Sequence, residues 1–307
     1  MCRATAPRWA LVVSLGVFVG RYPTGLTGLT GLTGPTGQTA AVQKLGASRI
    51  VLALVTDLGN RPLVNLGADD FAIDEGGQPR DILSLHVADY PIAVLLDDTA
   101  AAGTDMDTVR AAAARFISRI GERAVAVGTL TNPTTTVAAF EDTRATVLER
   151  ITQVSVAAAA PPLPLQAAAN AARLIRENGT PFSAIVIVSA RPVSASQATD
   201  RQFLTPVLES GAIVYVIANR TPAAPGASPD QSTERDDVLQ ALAEQTHGQY
   251  VTIYSPSSYS IALDHLADRL AGEMMIEYLV PEGSPVGDVR VGVRIPGAKA
   301  RGLGVSR

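Results

Sequence analysis

Two acids and a hydroxyl follow directly on a short apolar run. Residues 91–96 read PIAVLL, and Asp97, Asp98 and Thr99 come next. An apolar run of this length, bounded by polar residues, is typical of a buried central strand. Ligands of open α/β sheets bind just beyond the carboxyl ends of such strands. Asp97 and Thr99 therefore stand where a binding site is expected, and their oxygens are of the kind that hard cations prefer.

This stretch resembles the start of a von Willebrand factor A-type (vWA) domain. That family has Asp-x-Ser-x-Ser at this point, and the resemblance implies a divalent cation held there. The present chain has Asp97-x-Thr99-x-Ala101, so one hydroxyl ligand of the family pattern is missing. The resemblance thus leaves Asp97 and Thr99 as the metal ligands of a degenerate site, in which Mg²⁺ is the implied ion.

The other two loops that hold the cation in vWA domains have also lost their ligands. Where the family has a threonine, residues 161–165 read PPLPL and offer no side-chain oxygen. Where the family has an aspartate, the chain has Ser189 and then Arg191. A guanidinium at this position would neutralise Asp97 or Asp98 without a metal. We therefore expect no cofactor, with Asp98, Ser189 and Arg191 lining the site, or Asp98 facing solvent. Mg²⁺ bound through the remaining ligands is the alternative.

The elements that position these residues alternate between strand and helix from residue 91 onward, which predicts a parallel sheet with helices on both faces. Apolar runs predict strands at 91–96, 124–130, 134–140, 183–189, 211–218 and 250–253. Helical spacing and capping residues predict helices at 104–120, 143–152, 166–177, 232–248 and 258–271. The short connection at 131–133 predicts that the strand after it runs antiparallel.

Two β-rich segments flank this region. Residues 49–56 and 81–87 are strand-like, and 273–280 and 288–295 are predicted to form a β-hairpin. Stretches such as Asp74-Glu75-Gly76-Gly77 and Met275-Ile276-Glu277-Tyr278 resemble segments around the vWA domain in a family of secreted bacterial vWA-related proteins. The expected fold class is therefore α/β, a vWA (Rossmann-like) doubly wound, mostly parallel sheet. We expect the N- and C-terminal segments to pair into a small β-rich module beside it.

The N-terminus has the pattern of an export signal. Arg3 and Arg8 precede an apolar segment at 9–20. This segment fits a signal peptide and is short for a membrane span of about 20 residues. We expect an exported protein, with membrane attachment only if this segment stays uncleaved. The predicted domains are a signal peptide or anchor at 1–22, a Gly/Thr-rich linker at 23–47, a β-rich segment at 48–90, the vWA-like domain at 91–272 and a C-terminal β-hairpin segment at 273–307.

Composition and motifs exclude several function classes. The net charge of −4 comes without a basic run, and aromatic residues make up 5% of the chain, so nucleic-acid binding is not expected. The sequence holds no G-x-S-x-G elbow, P-loop, H-E-x-x-H or strand-linked G-x-G-x-x-G. The three histidines, His86, His247 and His265, are predicted to be structural or solvated. No catalytic residues are predicted.

We therefore predict an exported, non-catalytic vWA-like domain that mediates protein–protein or ligand binding. Its partner is an unidentified protein, contacted by loops such as 131–135, 157–165 and 220–231. Two alternatives stay open: a divalent-cation-dependent adhesion module that uses Asp97 and Thr99, and an enzyme with an unrecognised site near Asp97.

Overall fold

A computed structural model describes residues 46–99, 106–157, 160–189, 201–219 and 237–306. In chain order the strands are β1 (Gly46–Thr56), β2 (Phe71–Glu75), β3 (Gln78–Arg80), β4 (Ile82–Val87), β5 (Ile92–Leu96), β6 (Val125–Thr129), β7 (Thr136–Ala138), β8 (Ala184–Ser189), β9 (Ile213–Asn219), β10 (Gln249–Ile253), β11 (Glu273–Pro281), β12 (Val289–Val293) and β13 (Lys299–Val305). The helices are α1 (Met106–Arg119), α2 (Arg144–Gln153), α3 (Pro164–Glu177), α4 (Arg201–Ser210), α5 (Asp237–Gln245) and α6 (Ser258–Ala271). Among these residues no helix is long and apolar enough to cross a membrane.

A six-stranded sheet forms the centre of the molecule, with the strand order β10-β9-β8-β5-β6-β7. All neighbouring pairs are parallel except β6 and β7, which are antiparallel as predicted. The order reverses between β5 and β8, and ligands of doubly wound sheets bind at such a switch point. This topology confirms the predicted doubly wound α/β fold.

Helices cover both faces of this sheet because the side chains of its strands alternate. On β5, Ile92 and Val94 belong to a core shared with α1, α2 and α6. Ala93 and Leu95 belong to a second core shared with α3, α4 and α5. A strand buried on both faces carries a nearly continuous apolar run, which is the pattern seen at 91–96.

The two flanking β segments pair with each other, as expected. They form a four-stranded sheet of order β13-β1-β11-β4 and a three-stranded sheet of order β12-β2-β3. Along β1, Val51 and Ala53 pack in the core of this β module. The intervening Leu52 and Leu54 pack in the core of the α/β domain. The four-stranded sheet therefore lies between the three-stranded sheet and the α/β domain.

The prediction that 273–280 and 288–295 form a β-hairpin is wrong. β11 pairs antiparallel with β1 and β4, and β12 pairs with β2 in the other sheet. The physical reason is burial: Met274 and Ile276 pack in the module core, whereas Met275 packs in the domain core. A strand buried on both faces takes the centre of a sheet, with a partner on each edge.

The other differences between predicted and observed elements concern segments without a clear sequence pattern. No element was predicted for α4, which contains Pro206 in its interior, a residue that usually interrupts helices. β2, β3 and β13 were also not predicted. The first two residues of the predicted 104–120 helix, like the start of the 232–248 helix, lie outside the described residues.

Candidate functional site

Three residues that the sequence singled out meet at the C-terminal edge of the six-stranded sheet. Asp97, Thr99 and Ser189 are all buried, with exposed fractions of 1%, 0% and 0%. Oδ1 of Asp97 accepts a hydrogen bond of 3.1 Å from the backbone N–H of Thr99. Oγ of Ser189 lies 3.5 Å from Oδ2 of Asp97. The carboxylate thus links the ends of β5 and β8, on both sides of the switch point.

The neighbouring acid, Asp98, is also buried, with 5% exposed. Its Oδ1 accepts from the backbone N–H of Thr131 at 3.0 Å, and its Oδ2 accepts from Oγ1 of Thr131 at 2.6 Å. Its backbone carbonyl accepts from the N–H of Ala157 at 2.7 Å. The interpretation of Asp98 as a solvent-facing acid is therefore wrong, because this residue ties together the loops after β5, β6 and α2. Thr131 was predicted as part of the binding loop 131–135, but its bond to Asp98 was not predicted.

The side-chain oxygens at this place can be compared with the ligands that a divalent cation requires. Asp97, Thr99 and Ser189 supply one carboxylate and two hydroxyl groups, which fits a Mg²⁺ ion that keeps several waters. Oγ1 of Thr99 is buried and has no hydrogen-bond partner within the described part of the chain. The described residues contain no cluster of three or more His, Cys, Asp or Glu side chains that could hold a metal. Ala101 and Arg191, the remaining predicted site positions, lie outside the described residues.

A cleft of about 450 Å³ opens beside Asp98. Most of its walls are polar and uncharged, and it is lined by Asp98, Thr129, Thr131, Asn132, Thr135, Val137, Arg150, Gln153, Val154, Ser155 and Ala157. The guanidinium of Arg150 donates to Oδ2 of Asp142 at 2.7 Å, which balances its charge. Hydroxyl and amide groups of this kind can hydrogen-bond the backbone or polar side chains of a ligand.

The histidines are not part of this cleft. His86 lies on β4, His247 lies two residues beyond the end of α5, and His265 lies on α6. None of them is among the residues that line the cleft beside Asp98. The arrangement found here therefore has no histidine base next to a hydroxyl nucleophile, which is the pairing that acyl-transfer enzymes use.

A buried polar network that the sequence analysis missed joins the α/β domain to the β module. Glu273 is fully buried and accepts hydrogen bonds from the hydroxyls of Tyr90 and Tyr215, the latter at 3.1 Å. Nε of Arg269 lies 3.9 Å from Oε1 of Glu273, and Arg123 stacks on the ring of Tyr90 at 4.6 Å. Burial raises the pKa of the Glu273 carboxyl, and both tyrosine hydroxyls have raised pKa values for the same reason.

Comparisons with known proteins concern the fold. No protein-family model and no curated protein matches the chain. Among solved structures, a von Willebrand factor type A protein from Catenulispora acidiphila is 12% identical over 85% of this chain and 74% of its own, with a TM-score of 0.45. The D319A mutant of the PilB minor pilin from Streptococcus sanguinis is 10% identical over 60% of this chain, with a TM-score of 0.46. This chain covers 62% of that pilin, which is less than two thirds of its length.

A third solved structure is the vWF domain of the type V pili tip protein Mfa5 from Porphyromonas gingivalis. It is 6% identical over 59% of this chain and 95% of its own, with a TM-score of 0.45. Likenesses of this size carry no information about partners or ligands. The fold itself is defined by the order and direction of the strands described above, and it is a doubly wound α/β fold.

Proposed function

We propose that this chain is a non-catalytic module that binds a protein or another ligand outside the cytoplasm. It does so through the loops at the C-terminal edge of the six-stranded sheet. The observation that carries the proposal is the anchoring of these loops by Asp98, through two hydrogen bonds from Thr131 and one from Ala157. Because protein groups hold the loops, the polar cleft beside them is preformed and needs no cation to shape it.

A thermal melt with and without millimolar Mg²⁺, Mn²⁺ and Ca²⁺ tests the role of a metal. We expect no shift of the melting temperature with any of the three ions. The variant at the site is Asp97→Ala. Its matched control is Asp89→Ala, which replaces an exposed acid at the other edge of the sheet. An ion at about 100 times its Kd would stabilise the fold by roughly 2.7 kcal/mol, a shift that is readily measured.

The second candidate function is cation-dependent adhesion through Asp97 and Thr99. The specific observation in its favour is the buried hydroxyl of Thr99, which has no hydrogen-bond partner among the described residues and is a ready oxygen ligand. A metal-induced rise in melting temperature that persists in Asp89→Ala and disappears in both Asp97→Ala and Thr99→Val would replace our proposal with this one.

Binding through the cleft is tested by selection from a displayed peptide library on the wild-type protein. Ser155→Trp places a large ring in the cleft, whereas Asp89→Trp adds the same ring at the opposite edge of the sheet. We expect the selected peptides to lose binding to Ser155→Trp and to keep it with Asp89→Trp. Equal binding to both variants would contradict recognition at this cleft.

Export is the part of the proposal that rests on the sequence pattern at 1–22. Fractionation of cells that make the full chain should place it outside the cytoplasm, and deletion of 1–22 should retain it inside. Retention of the full chain in the cytoplasm would contradict this part, without affecting the binding experiments.

A further inference from the structure

A second cavity lies at the opposite edge of the six-stranded sheet. It measures about 660 Å³ and is found where β9 begins, between the end of β13 and the ends of α4 and α5. We call it the basal groove, and the residues that matter for its chemistry are Leu208, Glu209, His247, Gly304, Val305 and Ser306. None of these residues lines the cleft beside Asp98, so the two surfaces are separate.

One wall of the basal groove is formed by residues at the end of β13. This strand is the last in its sheet, and within the described residues it pairs only with β1. The N–H of Ser306 donates to the carbonyl of Ile50 at 2.8 Å. Because these groups alternate along a strand, the N–H and C=O of Val305 face away from β1. This edge can therefore hydrogen-bond a further strand.

The opposite wall of the basal groove carries negative charge. Both α4 and α5 end there, and the C-terminus of a helix carries about half a negative elementary charge. Of the six helices described, α1, α2, α3 and α6 have an arginine in the last turn, whereas α4 and α5 have no basic residue there. These two helices therefore lack a basic residue of their own at the end that the groove reaches.

Glu209 adds a carboxylate to the same wall. Its side chain is 62% exposed and forms an ion pair at 3.6 Å with Arg176 of α3, whose own side chain is 50% exposed and does not line the groove. Leu208, which is 44% exposed, gives this wall an apolar contact point beside the charge. The groove thus combines the end of an edge strand, an apolar contact and a carboxylate, and no lysine or arginine is among its described lining residues.

The backbone at the end of α5 is strained beside the groove. His247 has a φ of 60°, a conformation that is usual for glycine. Glycine is instead required at the next position, because a Cβ on Gly248 would lie 1.8 Å from the carbonyl oxygen of Val214. Strain of this kind persists where surrounding structure enforces it, often at binding sites, and here it holds an exposed imidazole at the groove.

We propose that the basal groove binds an extended peptide segment of a partner protein that carries lysine or arginine. The segment adds to β13 as a further strand, with main-chain hydrogen bonds to Val305. Its basic side chain lies at the ends of α4 and α5 and pairs with Glu209 in competition with Arg176. The partner thus brings a cation to two helix ends that have no basic residue of their own in the last turn, and the inference does not depend on the function proposed above.

The charge requirement is tested with two short, end-blocked fluorescent peptides that alternate valine with lysine or valine with glutamate. Fluorescence anisotropy with the full chain should show the lysine peptide binding at least about tenfold more tightly. Glu209→Lys should weaken it by about tenfold, whereas Glu149→Lys, the same charge change on the exposed surface of α2, should not. Equal affinity for both peptides would overturn the proposal.

The strand geometry is tested by Val305→Pro, which removes the outward N–H, against Val305→Ala, which keeps it. We expect the lysine peptide to bind Val305→Ala and to lose about tenfold in affinity for Val305→Pro. A peptide N-methylated on the positions that face β13 gives the same test without a protein variant, and it should bind more weakly than one methylated on the other positions. Equal binding of the two methylated peptides would overturn strand addition.

A second copy of the chain is the competing occupant, and sedimentation over a range of concentrations detects it. A dimer that Val305→Pro abolishes and that excludes the lysine peptide would overturn the proposal. Ser155→Trp, at the other edge of the sheet, should leave binding of the lysine peptide unchanged, so failure of the proposed function and failure of this inference are distinguishable.

Discussion

The side chain of Asp98 accepts both hydrogen bonds that Thr131 offers, so its removal leaves an N–H and an O–H without an acceptor. We expect Asp98→Ala to lower the free energy of unfolding by about 2–4 kcal/mol, because unpaired groups in a buried site retain their desolvation cost. Thr131→Val removes the hydroxyl alone and should cost about 1–2 kcal/mol. Urea unfolding followed by circular dichroism measures both changes.

This comparison distinguishes a structural role for Asp98 from a ligand-binding role. If Asp98→Ala unfolds at the urea concentration of the wild type, the hydrogen bonds to Thr131 contribute little, and the carboxylate is held there for another reason. The same result would weaken the argument that protein groups alone shape the cleft.

At the scale of elements, glycine is needed after two helices, at positions 211 and 248, for two different physical reasons. Gly211 has a φ of 68°, and a Cβ there would meet nothing within 4 Å. Gly248 is required by contact, since its Cβ would lie 1.8 Å from the backbone oxygen of Val214. We expect Gly211→Ala to cost about 1–2 kcal/mol, from the left-handed conformation alone. Gly248→Ala should cost about 3 kcal/mol, because the loop after α5 must move away from β9.

Thermal or urea unfolding of the two variants measures this difference. Equal losses of stability would mean that the loop after α5 moves aside at no cost, contrary to its close packing on β9. Thr246 supports the expected order, because its Oγ1 accepts a 3.0 Å hydrogen bond from the N–H of Val214 and fixes the same loop.

At the scale of the whole molecule, the network around Glu273 joins the six-stranded sheet to the β module. Burial raises the pKa of Glu273 above its ordinary value of 4.5, although the bonds from Tyr90 and Tyr215 and the charges of Arg123 and Arg269 act in the opposite direction. The folded state therefore holds this proton more tightly than the unfolded state. The contribution of Glu273 to stability is largest below pH 4.5 and falls as the pH rises through the raised pKa.

Glu273→Gln, which cannot titrate, gives the matched comparison. The free energy of unfolding of the wild type relative to this variant should increase as the pH is lowered from about 8 towards about 5. Other acids act in the opposite sense. Hydrogen bonding to Arg115 lowers the pKa of Asp264, so the stability that this residue contributes is lost as the pH falls through its folded-state pKa. The difference between wild type and variant isolates Glu273, and a difference independent of pH would contradict the raised pKa.

The sequence by itself determined the class of the fold and the end of the sheet at which Asp97, Thr99 and Ser189 meet. The apolar run before Asp97 predicted a strand buried on both faces, and alternation of such runs with helical spacing predicted the doubly wound sheet. Local patterns suffice here because burial on both faces, helix periodicity and the polar residues at strand ends are all properties of adjacent residues. The approach of Asp97 to Ser189 follows from the same logic, since parallel strands end at one edge.

Only the tertiary structure decided which strands pair and what the buried polar groups contact. β11 lies between β1 and β4, and more than 180 residues separate it from either partner in the sequence, so no local pattern shows the pairing. The bond from Thr131 to Asp98 and the burial of Glu273 between two tyrosines depend on the same long-range packing. The basal groove likewise exists because β13, α4 and α5, far apart along the chain, end at one place.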